Sequence, residues 1–204
     1  MPVAWLLVGA SYLLGSIPSS FLAAKWLRGI DLREHGSGNL GATNTFRVLG
    51  ARVAAPVMVF DVLKGFLPTL LFVRWDGRPE WSWALAYGAA AIIGHMFSVY
   101  LRFRGGKGVA TAGGVFLALA PQAVLPAILV WAVVLRVWRM VSLASISAAV
   151  TLIVALAVSE SRAPVLVLGV AVALLVVYAH RKNIGRIVRG EEYRFGAKPP
   201  EEVR

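Results

Sequence analysis

Long apolar runs alternate with short polar islands along this chain, and the lengths of the runs predict what they form. A helix needs about 20 predominantly apolar residues to cross about 30 Å of hydrocarbon. Runs that reach or approach that length extend from Val3 to Trp26, Val53 to Val73, Trp81 to Leu101, Ser145 to Val158 and Pro164 to Ala179. The fourth of these is short and can be extended back to Ser142. Between Val109 and Leu135 lie 27 residues that read either as one long tilted helix or as two short ones broken at Pro121-Gln122. The first run is expected to stay in the protein, because it has no basic region before it and is too long for a cleaved signal peptide. Pro18 inside it predicts a kink, with the neighbouring serines satisfying the carbonyls that the proline frees.

Charge decides between one crossing and two in the ambiguous stretch. The chain of 204 residues carries 21 Lys and Arg against 10 Asp and Glu, a formal net charge of +11. If residues 109–135 cross twice, 17 of the 21 cations fall on one side; Arg74, Arg78 and Arg162 fall on the other, and Lys64 lies inside a span. A single crossing spoils that bias. The positive-inside rule therefore predicts an all-α polytopic bundle of seven transmembrane helices, N-terminus outside and C-terminus cytoplasmic. Residues 1–204 read as a single membrane domain, in which 181–204 form a polar tail on the cytoplasmic surface.

Composition narrows the function. The chain is 58% hydrophobic and 15% charged, with mean hydropathy +0.72, unlike a soluble domain or a disordered one. Having no cysteine, it has no thiolate nucleophile and no Cys-ligated metal site. No carboxylate cluster offers a metal site either. A nucleic-acid partner is excluded because the positive charge sits in loops between hydrophobic spans.

Four polar islands remain to be explained, and with seven spans all four lie at the cytoplasmic face. The first reads Gly36-Ser37-Gly38-Asn39-Leu40-Gly41-Ala42-Thr43-Asn44. Its glycines permit positive φ and an anion-binding nest, and Thr43 or Asn44 is positioned to cap a helix that carries Arg47 one turn in. The same residues match G-x-G-x-x-G, but no strand precedes them and Asp61 falls inside an apolar span, so the dinucleotide reading fails. The second island, Arg104-Gly105-Gly106-Lys107-Gly108, again sets a cation among glycines at a helix mouth. It is not a Walker A loop, since Gly108 replaces the Ser or Thr that would hold magnesium. Either loop can also be a plain turn, or a basic loop that serves topology alone. The third island, Ser142 to Ser145, reads first as a helix cap. The fourth, His180-Arg181-Lys182-Asn183, closes a span, where a histidine often serves only as an anchor. Taken together they form a cationic patch suited to a substrate with phosphates and a greasy tail. Within the spans, Asp61 and Lys64 stand three apart on one helix face. They read as an internal ion pair, with a direct substrate role as the alternative. His95 reads as a packing histidine.

These motifs resemble the PlsY family of bacterial acyltransferases, which use acyl phosphate as donor. The resemblance rests on GSIPSSFL (15–22), GSGNLGATN (36–44), DVLKG (61–65), GHMFSVYLRFRGGKGVAT (94–111), SLASI (142–146) and HRKNIGRIVRGEE (180–192). It implies transfer of a fatty acyl group to the sn-1 hydroxyl of glycerol 3-phosphate, giving lysophosphatidate and phosphate at the cytoplasmic side of the inner membrane. The implied catalytic residues are Lys107, His180, Arg47 and Ser145. The implied substrate-binding residues are Ser37, Gly38, Asn39, Gly41, Thr43, Asn44, Arg104, Gly105, Gly106, Gly108, Ser142 and Asn183. No metal or other cofactor is implied; membrane lipid and the peripheral enzyme that makes acyl phosphate are the implied partners. The His-x-x-x-x-Asp signature of the unrelated acyltransferases is missing, since Leu40, Tyr100 and Gly185 stand five after His35, His95 and His180. The rival reading is a transporter of an organic phosphate. It lacks support from any internal repeat, and the charges gather at one face instead of the midplane.

Overall fold

The computed structural model describes residues 2–75, 81–160 and 162–196. Among them the chain is helical without strands, in the order α1 (Pro2–Ser16), α2 (Ser19–Arg28), α3 (Ala42–Leu49), α4 (Ala51–Trp75), α5 (Trp81–Met96), α6 (Val109–Leu119), α7 (Pro121–Trp138), α8 (Val141–Ser159), α9 (Ala163–Ala179) and α10 (Arg181–Val188). Four segments are long and apolar enough to cross a membrane by themselves: α4, residues 81–101, α7 and α8. Two bent pairs, α1 with α2 and α9 with α10, raise the number to six. Arg78, Lys198 and Arg204, which entered the charge count, lie outside the described residues.

Two breaks in the apolar runs have local causes. The run from Val3 to Trp26 bends by 41° across Ile17-Pro18, where the proline predicted a kink, and the bend divides it into α1 and α2. The carbonyls at the break are not taken by the hydroxyls of the run's own serines, although the Ser19 N–H donates to Ile17 O. Ser98 Oγ donates to Ser16 O, and Lys64 Nζ donates to Ile17 O at 2.9 Å. The Ser19 hydroxyl instead donates to Asp61 Oδ1 at 2.7 Å. The stretch 109–135 is two helices, with Ala120 between them and Pro121 opening α7. Proline is tolerated at that first position because its missing N–H would have no intrahelical partner anyway.

The packing is that of a protein surrounded by lipid. Helix α1 lies on α5 where Gly15 meets the Ala91 backbone and Gly94 meets Tyr12. Helix α4 lies on α6 where Gly65 meets Thr111 and Gly114 meets Val62. Small residues let helix backbones approach closely when lipid removes the hydrophobic drive to associate. The core, centred on Ile92, Val115, Phe116, Leu156 and Val165, joins α5, α6, α8 and α9. Large apolar side chains such as Leu6, Val59, Leu129, Val154 and Leu174 face outward.

Candidate active site

The first glycine-rich island is folded by its own asparagine. Asn44 Oδ1 accepts the Ser37 N–H at 2.8 Å, and Asn44 Nδ2 donates to His35 O at 2.9 Å and Leu32 O at 3.3 Å. Gly36 and Gly38 adopt positive φ to let the chain turn around this side chain. The expected cap is corrected here: α3 begins at Ala42 with extended Gly41 at its cap, and no side chain caps it. Asn44 is a buried third helical residue that spends its amide inside the loop.

The second island is folded from below. Gly105 N–H donates to Met96 O at 3.0 Å and Gly106 N–H to His95 O at 3.1 Å, which lays the loop across the end of α5. Gly108, at φ +80°, then turns the chain into α6. Lys107 is left at the mouth of α6, where the first-turn N–H groups have no intrahelical partners and favour an anion.

Both loops open onto a cavity of about 950 Å³. Of the residues expected at the site, Ser37, Gly38, Asn39, Gly41, Thr43, Asn44, Arg47, Lys107, Gly108, Ser142, Ser145, His180 and Asn183 line it. Three expected residues do not. Gly105 and Gly106 line a smaller pocket underneath, and Arg104 is exposed outside both. The cavity continues among Phe116, Val124, Ile128, Leu152 and Val176, an apolar extension of the cationic mouth.

A carboxylate organises that mouth. Glu192 Oε1 accepts from Ser142 Oγ at 2.7 Å and Asn183 Nδ2 at 2.6 Å, while Oε2 accepts from Arg186 Nε at 2.7 Å. Asn183 Oδ1 in turn accepts from Lys107 Nζ at 2.5 Å. Burial works against the Glu192 charge, but these hydrogen bonds outweigh it and hold the carboxyl below its usual range. Burial also pushes Lys107 down to about 8, against a smaller upward pull from Glu192. Arg47 is half-buried over the Tyr193 ring at 4.4 Å, and its Nη1 has no hydrogen-bond partner.

The remaining polar groups are fixed one by one. His180, just past the end of α9, places Nδ1 2.8 Å from Val176 O. A carbonyl only accepts, so Nδ1 carries the proton and Nε2 is an acceptor. Burial, then the charge of Lys107, push this histidine down to about 4, so it is neutral near pH 7. Ser142 and Ser145 do not cap α8, whose cap is Met140. Ser142 binds Glu192; Ser145 Oγ donates to Val141 O at 2.8 Å and accepts Trp131 Nε1–H at 3.4 Å.

Sequence reasoning missed the far wall of the site. Residues 181–204 were expected as a polar tail on the cytoplasmic surface; the described part of it forms α10 and a return segment. Within it, residues 191–196 fold back over α3 and the α7–α8 junction, with Phe195 stacked on Phe46 at 4.6 Å and bonded to Arg139 through both backbone groups. Tyr193 lies between Arg47 and Arg186. The available signals were Glu192 at the end of the last matching motif and the two aromatics just beyond it.

A membrane bundle with a long apolar cavity and a cationic mouth has the layout of an integral membrane acyltransferase. The chain belongs to the glycerol-3-phosphate acyltransferase family, whose model matches residues 5–190. It is 47% identical over 190 residues to the glycerol-3-phosphate acyltransferase of Geotalea daltonii, covering 93% of this chain and 96% of that protein. The Aquifex aeolicus enzyme of that name is 45% identical over 190 residues, with 93% and 97% covered. Among solved structures, the glycerol 3-phosphate form of PlsY, an integral membrane glycerol 3-phosphate acyltransferase, superposes with TM-score 0.88 at 44% identity, covering 95% of this chain and 96% of that one. Its lysophosphatidic acid form gives TM-score 0.85 at 43% identity, with 95% of each chain covered.

Proposed function

We propose that this acyltransferase moves a fatty acyl group from acyl phosphate to the sn-1 hydroxyl of glycerol 3-phosphate, releasing lysophosphatidate and phosphate. One observation carries the reading: three cations, Arg47, Lys107 and Arg186, surround one carboxylate, Glu192, at the mouth of an apolar cavity. The cluster is positive in net charge, and Arg181, Lys182 and Arg194 in the same lining add to it, which suits a phosphate monoester carrying about two negative charges. The acyl chain lies along the apolar extension. Solved relatives in glycerol 3-phosphate and lysophosphatidic acid forms support the same pairing of head and tail.

In the reaction the sn-1 oxygen attacks the acyl carbonyl carbon, the carbon–oxygen bond to phosphate breaks, and phosphate leaves with the electron pair. Lys107, Arg47 and the α6 N-terminus hold the phosphates in place and neutralise the charge that develops, so positioning and electrostatics lower the barrier. Ser145 and Asn183 fix the ends of the bound polyols. The hydroxyl proton passes to a substrate phosphate oxygen, whose second ionisation near pH ~6 makes it a better acceptor than His180. His180 Nε2 instead takes a hydrogen bond from the substrate hydroxyl. Ser37, Asn39 and Thr43 complete the phosphate cradle.

The fold reading extends with it. The bundle crosses the inner membrane seven times as one domain, N-terminus outside, with α6 a short span and the site and tail at the cytoplasmic face. This places the mouth beside a peripheral enzyme that supplies acyl phosphate. The test is an assay of purified protein in lipid with glycerol 3-phosphate and either acyl phosphate or acyl-CoA. Lysophosphatidate is expected from acyl phosphate alone; folded protein that makes none from either donor overturns the reading.

A further inference from the structure

A second polar cluster lies directly beneath the two glycine-rich loops. Its base is the Asp61–Lys64 pair of α4, 2.8 Å apart and buried. His95, at the end of α5, is also buried, with Nδ1 3.8 Å from Asp61 Oδ1 and without a hydrogen-bond partner. That separation is too long for a direct hydrogen bond. The small pocket around these groups has Leu40 of the first loop and Gly105 and Gly106 of the second among its lining. Asp61 and His95 line the large cavity as well.

The contact that matters is on the other edge of the imidazole. A Cβ at Gly106 would fall onto both His95 Nε2 and the Leu40 carbonyl oxygen. The ring edge therefore packs on the glycine of the second loop that also lies against the first, and no side chain fits there. The His95 backbone carbonyl also holds the Gly106 N–H. One residue thus touches the second loop through backbone and ring at Gly106, and Gly106 in turn lies against the Leu40 carbonyl of the first loop. Behind the ring lies the Asp61–Lys64 pair, with Lys64 fixed on Ile17 O and Asp61 3.8 Å from His95 Nδ1.

We propose that His95 is a positioning residue whose Nε2 edge sets the spacing of the two glycine-rich loops, and so governs the affinity for glycerol 3-phosphate while leaving the chemical step alone. The proposal rests on the phosphate-binding role given to those loops above.

Three variants separate the two edges of the ring. His95→Gln puts an amide near the Nε2 position, His95→Asn puts one near Nδ1, and His95→Leu keeps volume without polarity. Glycerol 3-phosphate affinity is read by calorimetry on the full-length protein in lipid, and kcat and KM on the same preparations. The Asn and Leu variants are expected to weaken binding by about tenfold or more with kcat within about twofold, and Gln to restore most of the affinity. Unchanged affinity in all three, a matched fall in kcat, or rescue by Asn in place of Gln overturns the proposal. If the Leu variant does not fold, the Gln–Asn comparison decides. Wild-type protein that binds glycerol 3-phosphate but makes no lysophosphatidate overturns the proposed reaction and leaves this inference standing.

Discussion

Two buried clusters of charge sit in this bundle, and they differ in balance. On α4, Asp61 meets Lys64 one for one, and the remaining hydrogen bonds of the pair go to Ser19 and Ile17. At the cavity mouth, Glu192 is shared by Arg186, Ser142 and Asn183, with Lys107 on Asn183 and Arg47 nearby. The first cluster is neutral and packs around a pocket of about 10 Å³, with Asp61 also reaching the wall of the large cavity. The second carries surplus positive charge and opens onto a large cavity. A buried charge is tolerated only when paired or hydrogen-bonded. A balanced cluster needs nothing more, and an unbalanced one calls for a ligand of opposite sign. Burial alone therefore does not identify a binding site; the uncompensated sign does.

The sharpest way to break the contrast is to remove one charge from the unbalanced cluster. Lys107→Met deletes the ammonium that faces Asn183 at the mouth of α6. Loss of one electrostatic contact to the transition state is worth about 100- to 1,000-fold in kcat, so activity should fall by that factor while stability changes little. Chemical denaturation of the purified variant checks the second half. A variant that keeps activity but unfolds early would move Lys107 from the site to the scaffold.

How much of this contrast was legible beforehand follows from which interactions are local. Asp61 and Lys64 lie three residues apart, so their shared helix face could be read from spacing. The apolar runs predicted the helices because lipid demands long continuous segments. The Pro121 break was legible through the charge count, which favoured two segments there; the proline alone left it open, and Pro56, Pro68 and Pro126 lie inside helices. The Glu192 hub was not, because its partners come from residues 142, 183 and 186, joined only when the tail folds back. The inward turn of the Asn44 amide was missed for a related reason: a cap and a loop closure use the same residue type, and only the start of α3 at Ala42 tells them apart. Gly105 and Gly106 were read as phosphate ligands because glycine near a cation fits a nest. The same absence of a Cβ also seats the loop on His95, which the spacing did not reveal.

The balanced cluster should respond to mutation in the opposite way. Lys64→Met leaves Asp61 charged and without its ammonium inside the bundle, and breaking such a pair costs about 3–5 kcal/mol. Replacing both partners, as Asp61→Asn with Lys64→Met, removes the stranded charge and should recover more than half of that loss. The measurement is a double-mutant cycle of unfolding free energy in mild detergent. Strict additivity would show that the two residues do not act as a pair. The double variant should keep kcat within about threefold, since neither residue touches the reacting atoms in this reading.

Proton concentration tests the contrast most gently, because it alters charge without altering shape. Lys107 is pushed down to about 8 by burial, so its ammonium is lost as pH rises through that value. A group whose charged form binds phosphate loses affinity above its pKa, and one unit above it about a tenth of the molecules keep the charge. The KM for glycerol 3-phosphate should therefore rise up to about tenfold between pH 7 and 9. Lys107→Arg, which stays protonated throughout, should bind with a flatter profile even where its kcat is lower. His180 is held at about 4, so it stays neutral over the whole range and adds no inflection near 6.5. An inflection near 6.5 that disappears in His180→Gln would show the histidine titrating in the working enzyme, and would return the role of proton acceptor to it.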